Sequence, residues 1–247
     1  MKLSHFTFTD AGGRKVNEDS AFAAAAGDCG CFAVCDGLGG HGRGDEASKL
    51  VCQSFENAYR RQLEQEKDAA AFLADAIRGA QEELLLKQQL LSCPDAMKTT
   101  AVLLVVDGEM AQYAHVGDSR LYLFRNGGLL HQTLDHSVPQ MLVNLGEITP
   151  DQIRRHEDRN RLLRVLGVTW EKDKFDMPTE PVPVMAGDSF LLCTDGFWEW
   201  IDENEMAATL KKANSVEAWV GAMAKTVKLR GMLKKADNFT AIGVWLR

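Results

Sequence analysis

Residues 30–50 read GCFAVCDGLGGHGRGDEASKL. The apolar run from Gly30 to Cys35 stops at Asp36-Gly37, the pattern of a buried strand that runs into a loop. After the glycine-rich stretch, Ala47, Leu50, Val51, Phe55 and Ala58 recur at helical spacing from Gly44 or Asp45 to about Arg61. A second helical pattern over about 68–91 puts Phe72, Leu73, Ala76, Ile77, Ala80 and Leu84 on one face. Two amphipathic helices with no strand between them predict an antiparallel pair covering one sheet.

Beyond that pair the chain turns β-rich. Thr100 to Val106 is continuous, branched and apolar, as in a strand buried on both faces. Asp107-Gly108 reads as a turn, followed by strands at Gln112–Val116 and Leu121–Phe124 and a hairpin turn at Arg125–Gly128. Residues 138–168 lose the strand pattern and read as an inserted, polar, helical flap. Strands return at Val182–Met185 and Ser189–Cys193, helices at about 203–212 and 215–230, and a last strand at Phe239–Trp245. Strands in groups and helices in pairs predict an α+β fold rather than alternating βαβ. The expected architecture is a β-sandwich of two antiparallel sheets, each flanked by a helix pair. No linker or repeat divides the 247 residues, so one domain over 1–247 is expected.

Composition excludes several classes. With 28 Lys+Arg against 35 Asp+Glu, the net charge of −7 disfavours a nucleic-acid partner, which calls for a basic face. No apolar run approaches the ~20 residues of a bilayer span, and the N-terminus lacks a signal-peptide core. No membrane partner and a cytoplasmic location are therefore expected. The six cysteines form no CxxC pair, and Cys31, Cys35 and Cys193 lie in apolar runs as small hydrophobes.

The acids carry the functional signal. Glu18-Asp19, Asp36-Gly37, Asp118, Asp195-Gly196 and Asp237-Asn238 each lie at the edge of an apolar strand. Any one of them reads as an ordinary turn, and Asp107-Gly108 is such a case. Five acidic strand ends are different, because antiparallel strands can gather alternate ends at one rim. Crowded carboxylates repel unless protonated or matched by cations. Oxygen ligands suit Mg2+ or Mn2+, and the expected product is a two-metal site able to activate a water and offset phosphoryl charge. Arg14, four residues before Glu18, alone reads as a surface arginine; beside the acidic pair it reads as a phosphate clamp.

In order along the chain, Arg14 to Asp19, Asp36 to Gly40, Thr99-Thr100-Ala101, Gly117-Asp118-Ser119-Arg120, Cys193 to Gly196 and Asp237-Asn238 resemble the metal-dependent protein phosphatases of the 2C family, bacterial branch. The blocks Asp135-His136-Ser137, Leu145 to Pro150 and Arg159-Asn160 resemble that family's flap region. The resemblance implies hydrolysis of phosphoserine and phosphothreonine on proteins by water activated between two metal ions. Asp36 would bridge both ions, with Gly37 ligating one through its carbonyl and Asp195 and Asp237 completing the other. Glu18 and Asp19 would act through metal-bound waters, Arg14 would hold the phosphate, and Asp118 with Asp195 would bind a third, weaker ion. Thr99, Thr100 and Asn238 would support backbone geometry. Leu38 stands where many eukaryotic members carry a histidine acid; His41 or a metal-bound water are the alternatives.

A monomer opposing a eukaryotic-like Ser/Thr kinase is also implied. The flap's Arg154, Arg155, His156, Arg159, Arg161 and Arg164 form either a solvated face or a surface that attracts acidic phosphoprotein segments. A silent phosphoprotein-binding member and a two-metal nuclease or nucleotide phosphatase are the competing readings.

Overall fold

The computed structural model describes residues 1–39, 42–63, 68–94, 96–231 and 236–247. Ten strands form two antiparallel five-stranded sheets among these residues. One sheet orders β1 (Leu3–Asp10), β10 (Phe239–Leu246), β9 (Ser189–Cys193), β6 (Arg120–Arg125) and β7 (Gly128–Gln132). The other orders β2 (Asp19–Ala26), β3 (Cys29–Asp36), β4 (Ala101–Asp107), β5 (Met110–Val116) and β8 (Val182–Pro183). Helices α1 (Gly44–Gln62) and α2 (Ala69–Leu90) cover the second sheet. The first is covered by the short α4 (Asp195–Trp198), α5 (Glu203–Lys212) and α6 (Val216–Gly231). The α+β sandwich is as the sequence predicts.

Three apolar layers explain the order. Between the sheets, Phe32, Val34, Val102, Leu104, Leu123, Phe190, Leu192, Ile242 and Val244 pack face to face. Alternate residues of the same central strands point outward onto the helices. Cys31, Ala33, Leu103 and Val105 meet Val51, Phe55, Phe72 and Ile77, and Leu191, Cys193 and Ala241 meet Trp219, Val220 and Met223. Strands buried on both faces show no polar alternation, which is why β4 and β10 read as continuous apolar runs. All six cysteines are free thiols, four of them buried. No helix among the described residues is long and apolar enough to cross a membrane.

Four elements depart from expectation. The sequence reading assigns no strand to 3–10 or 19–26, yet these form β1, on the open edge of one sheet, and β2, on the open edge of the other. The flap is only partly helical: α3 (Val138–Asn144), with the Ser137 side chain accepting from the Gln140 N–H, is followed by a 3-10 turn over Pro150–Arg155. The rest of the flap is irregular. Asp195 ends no simple loop but opens α4, which the reading missed because a single turn of helix has no periodicity to detect.

Candidate active site

Antiparallel pairing brings the acidic strand ends to one rim. Asp19 begins β2 directly opposite Asp36, which ends β3. On the facing sheet Cys193, at the end of β9, pairs with both Ala241 and Arg120, so the segments carrying Asp195, Asp237 and Asp118 emerge together. A cleft of about 500 Å³ opens there. Its walls include Arg14 and Glu18 from the β1–β2 loop, Asp36 to Gly39, Asp118, Asp195 and Asp237, with Asn160 and Leu162 of the flap closing one side. Asp19 does not line the cleft; it is buried behind Asp36, with one carboxylate oxygen accepting from Thr194 Oγ1 (2.9 Å).

Backbone clamps hold these acids in place. The Asp36 N–H donates to Thr100 Oγ1 (3.1 Å), Thr99 Oγ1 donates to the Asp36 carbonyl (2.8 Å), and Thr100 Oγ1 meets Ser119 Oγ (2.7 Å). The Asp118 carbonyl accepts from the Trp198 indole N–H (2.9 Å). Under that indole lies Arg120, whose guanidinium sits 3.5 Å from the ring centroid. Arg120 is buried in a two-pronged pair with Asp135 (2.7 Å for both bonds), a structural role the sequence reading left unassigned. Glycines allow the close approaches: a Cβ on Gly39 would lie 1.9 Å from Glu18 Oε2, and one on Gly196 would lie 2.1 Å from the Asn238 carbonyl.

Asn238 secures the β1–β2 loop. Its Oδ1 accepts from the Glu18 N–H (2.8 Å), and its amide donates to the carbonyls of Ala11 (2.9 Å) and Val16 (3.0 Å). Arg14 lies within this stapled loop and reaches Asp237 Oδ2 at 2.6 Å. Asn238→Ala leaves three backbone groups without their partner, and stranded buried groups cost about 1–3 kcal/mol each. With partial rescue by water, the expected loss is about 2–3 kcal/mol, or about 5–10 °C in melting temperature for a chain of this size. Thermal unfolding of the variant checks it; a shift under a degree or so contradicts the stapling role.

The electrostatics are those of an uncompensated anion cluster. Burial raises the Asp19 and Asp195 carboxyls to about 7, with neighbouring carboxylates adding to the effect. Asp36 and Asp118 are pushed well above the ordinary range by burial and then by the acids around them. Asp36 and Asp195 lie close enough for each to shift the titration of the other. Glu18 is raised by burial, then by Asp45 and Asp237. Asp19 Oδ1 is buried without a partner. An oxygen-only donor set that resists ionisation fits hard divalent cations, which supply the missing positive charge.

The flap arginines divide. Arg154 donates to Glu203 (2.5 Å) and lies 5.5 Å from the Trp198 ring, Arg159 pairs with Glu199, and Arg164 pairs with Asp176 (2.8 Å). Arg155 and Arg161 are exposed, Arg161 with a long contact to Asp158 (3.3 Å). Leu38 lines the cleft with an apolar side chain, and Gly40 and His41, the other candidate acid, lie outside the described residues.

Comparison with known proteins accords with this geometry. The family model described as protein phosphatase 2C matches residues 12–237. The serine/threonine phosphatase stp of Listeria monocytogenes is 33% identical over 185 residues, covering 74% of this chain and 72% of that one. The crystal structure of the Mycobacterium tuberculosis serine/threonine phosphatase PstP/Ppp superposes with a TM-score of 0.85 at 28% identity, covering 100% of both chains. A structure of the PstP catalytic domain in complex with two manganese ions gives a TM-score of 0.77 at 26% identity, over 98% of this chain and 97% of that one. The chain belongs to the protein phosphatase 2C family and is a protein phosphatase.

Proposed function

We propose that the chain hydrolyses phosphoserine and phosphothreonine on proteins with two divalent ions, Mn2+ or Mg2+, held in the carboxylate cleft. The observation that carries this reading is the convergence of Asp36, Asp118, Asp195, Asp237 and Glu18 on one cleft that also holds Arg14. Asp36 would bridge the ions, with the Gly37 carbonyl, Asp195 and Asp237 completing the inner set. Glu18 and the recessed Asp19 would act through water, and Asp118 with Asp195 would hold a third ion. When bound, the cations lower the pKa of a water and offset charge at phosphorus.

The chain's own residues do the remainder. Arg14 is over half exposed at the cleft edge, where its guanidinium can take two phosphoryl oxygens. Asp237, its partner here, keeps the side chain over the cleft. Leu38 and Leu162 present apolar surface to the cleft, which limits free water near the reacting phosphorus. Asn238 and the two threonines keep the acids in register.

The cleft draws on both sheets and on the flap, which supports a single catalytic domain with the flap as part of it. The names of the relatives support Ser/Thr phosphoproteins as substrates, hence a Ser/Thr kinase as the opposing activity. Six free thiols support a cytoplasmic setting.

The test is Mn2+-dependent release of phosphate from phosphoserine and phosphothreonine peptides, abolished by chelator, with nucleoside triphosphates and DNA as controls. Faster turnover of nucleotides than of phosphopeptides would overturn the substrate class. Within the flap, Arg155→Ala combined with Arg161→Ala is expected to raise KM for an acidic phosphopeptide about threefold and leave KM for p-nitrophenyl phosphate unchanged. Arg154 is not part of that surface, because it is committed to Glu203 and Trp198. Equal effects on both substrates would remove the flap from recognition.

A further inference from the structure

His136 takes no part in the cleft chemistry above, yet it joins two segments that line the cleft. It is buried, and both polar groups of the Gly117 backbone end on it. The His136 N–H donates to the Gly117 carbonyl (2.9 Å), and the Gly117 N–H donates to His136 Nδ1 (3.1 Å). Gly117 has φ +99°, and a Cβ there would lie 2.6 Å from Thr100 Cγ2, so this corner has room for only one conformation. The next residue is Asp118, in the cleft wall. On its other side, the His136 carbonyl accepts from the Leu163 N–H (2.8 Å) of the flap, beside Leu162 in the cleft.

The ring itself is held from behind. With Nδ1 accepting, the single proton of a neutral imidazole sits on Nε2, which donates to Asp176 Oδ2 at 3.1 Å. The other Asp176 oxygen accepts from Arg164 (2.8 Å). His115 stacks on His136, with ring centroids 4.7 Å apart. Burial and that neighbour lower the His136 pKa to about 4, so the neutral tautomer is the working form.

His115, His136 and Asp176 also offer ligand atoms within 4.8 Å of one another, a spacing a cation could use. A cation on His136 Nε2 would leave neither ring nitrogen protonated, because the Gly117 N–H already faces Nδ1. The hydrogen-bonded chain keeps an ordinary neutral ring, and a proton rather than a metal links His136 to Asp176.

The geometry points to His136 as a positioning residue: its Nδ1 holds the Gly117–Asp118 corner in register with the carboxylate cluster, and Asp176 holds its ring. This rests on the reading that Asp118 belongs to the reaction centre. Such supporting hydrogen bonds are worth about 10–100-fold in activity at metal sites.

Two amide variants separate the halves of the chain. His136→Asn keeps an acceptor near the Nδ1 position and loses the reach to Asp176. His136→Gln reaches Asp176 and loses the acceptor for Gly117. With p-nitrophenyl phosphate and saturating Mn2+, His136→Gln is expected to lower kcat about tenfold or more with KM within about twofold. His136→Asn is expected to stay within about threefold of wild type in kcat, although both variants lose similar thermal stability. Equal loss of kcat in the two, tracking melting temperature, or wild-type kcat in His136→Gln, would overturn the proposal.

If neither variant folds, Asp176→Ala tests the same chain from the exposed end. Without Asp176 the imidazole is free to carry its proton on Nδ1, which the Asn oxygen is not, so a kcat lowered about threefold or more with little change in melting temperature supports it, and unchanged kcat overturns it. Absence of Mn2+-dependent hydrolysis in the wild type would instead sink the reading of the site, a separate outcome from any pattern among the variants.

Discussion

Asparagine at position 36 is expected to cut Mn2+-dependent turnover of p-nitrophenyl phosphate at least about a thousandfold while leaving the fold intact. Asp36 faces Asp19 across the β2–β3 pair and lies close to Asp195, so it sits where the anionic charge is densest. A neutral amide of the same shape keeps the Thr99 and Thr100 clamps, which hold the backbone of residue 36 rather than its side chain. It removes the charge that would attract and bridge cations. Because that charge opposes folding in the absence of metal, the metal-free variant is expected to melt above metal-free wild type at pH 8. Its melting temperature should also respond little to Mn2+. Steady-state kinetics and thermal unfolding with and without Mn2+ check both halves. Wild-type-like turnover by Asp36→Asn, or by Asp36→Ala, would end the proposed mechanism.

Metal-free wild type is expected to lose stability as pH rises from about 7 to 8, a loss that ordinary surface carboxylates do not produce. The sign follows from linkage. Asp19 and Asp195 are raised to about 7 in the folded state from 3.8, and Asp36 and Asp118 are raised well above 3.8. Between those values the folded state binds more protons than the unfolded one. Stability contributed by the protonated cluster is therefore complete below about pH 4 and is lost as pH climbs through 7.

Elsewhere, Asp10, Asp173 and Glu205 have lowered pKa values, each with a cationic partner, and act in the opposite sense only when pH falls below their unfolded values. Burial lowers His5, His115, His131 and His136, which add stability as pH rises to about 7, so the window from about pH 7 to 8 isolates the cluster. Divalent cations replace the protons there. At a concentration about 100 times Kd they contribute about 2.7 kcal/mol, or about 5–10 °C for a chain of this length, and less at pH 5 where protons compete. Melting curves in chelator and in Mn2+ across this range are the measurement. A chelated protein that gains stability between pH 7 and 8, or one indifferent to Mn2+ at pH 8, would show that the acids are not a cation site.

Several of these features are legible without coordinates because they are local. Continuous apolar runs marked β3, β4 and β9, since strands covered on both faces carry no polar alternation. Helical periodicity marked α1 and α2 to within a residue or two. Acids at strand edges marked the cleft residues one by one. The edge strands β1 and β2 were not assigned: repeated Ala gives β2 a weak β signal, whereas Phe6, Thr7, Phe8 and Thr9 give β1 an alternating strand pattern that went unused. Nor was the division of the flap arginines legible. A run of six basic or titratable side chains looks uniform until Glu199, Glu203 and Asp176, far away or across a turn, claim Arg159, Arg154 and Arg164.

Composition, periodicity and spacing by themselves determined the sandwich, the paired helices and the acids at strand ends, because each depends on residues near in sequence. Tertiary structure alone decided that those ends meet at a single rim, that Asp19 sits behind Asp36 rather than in the cleft, and that Asn238 staples the loop of Arg14 across more than two hundred residues. The reason is physical: a carboxyl's pKa and a side chain's partners are set by distance and burial. In this chain the groups that set them come from opposite ends and both sheets.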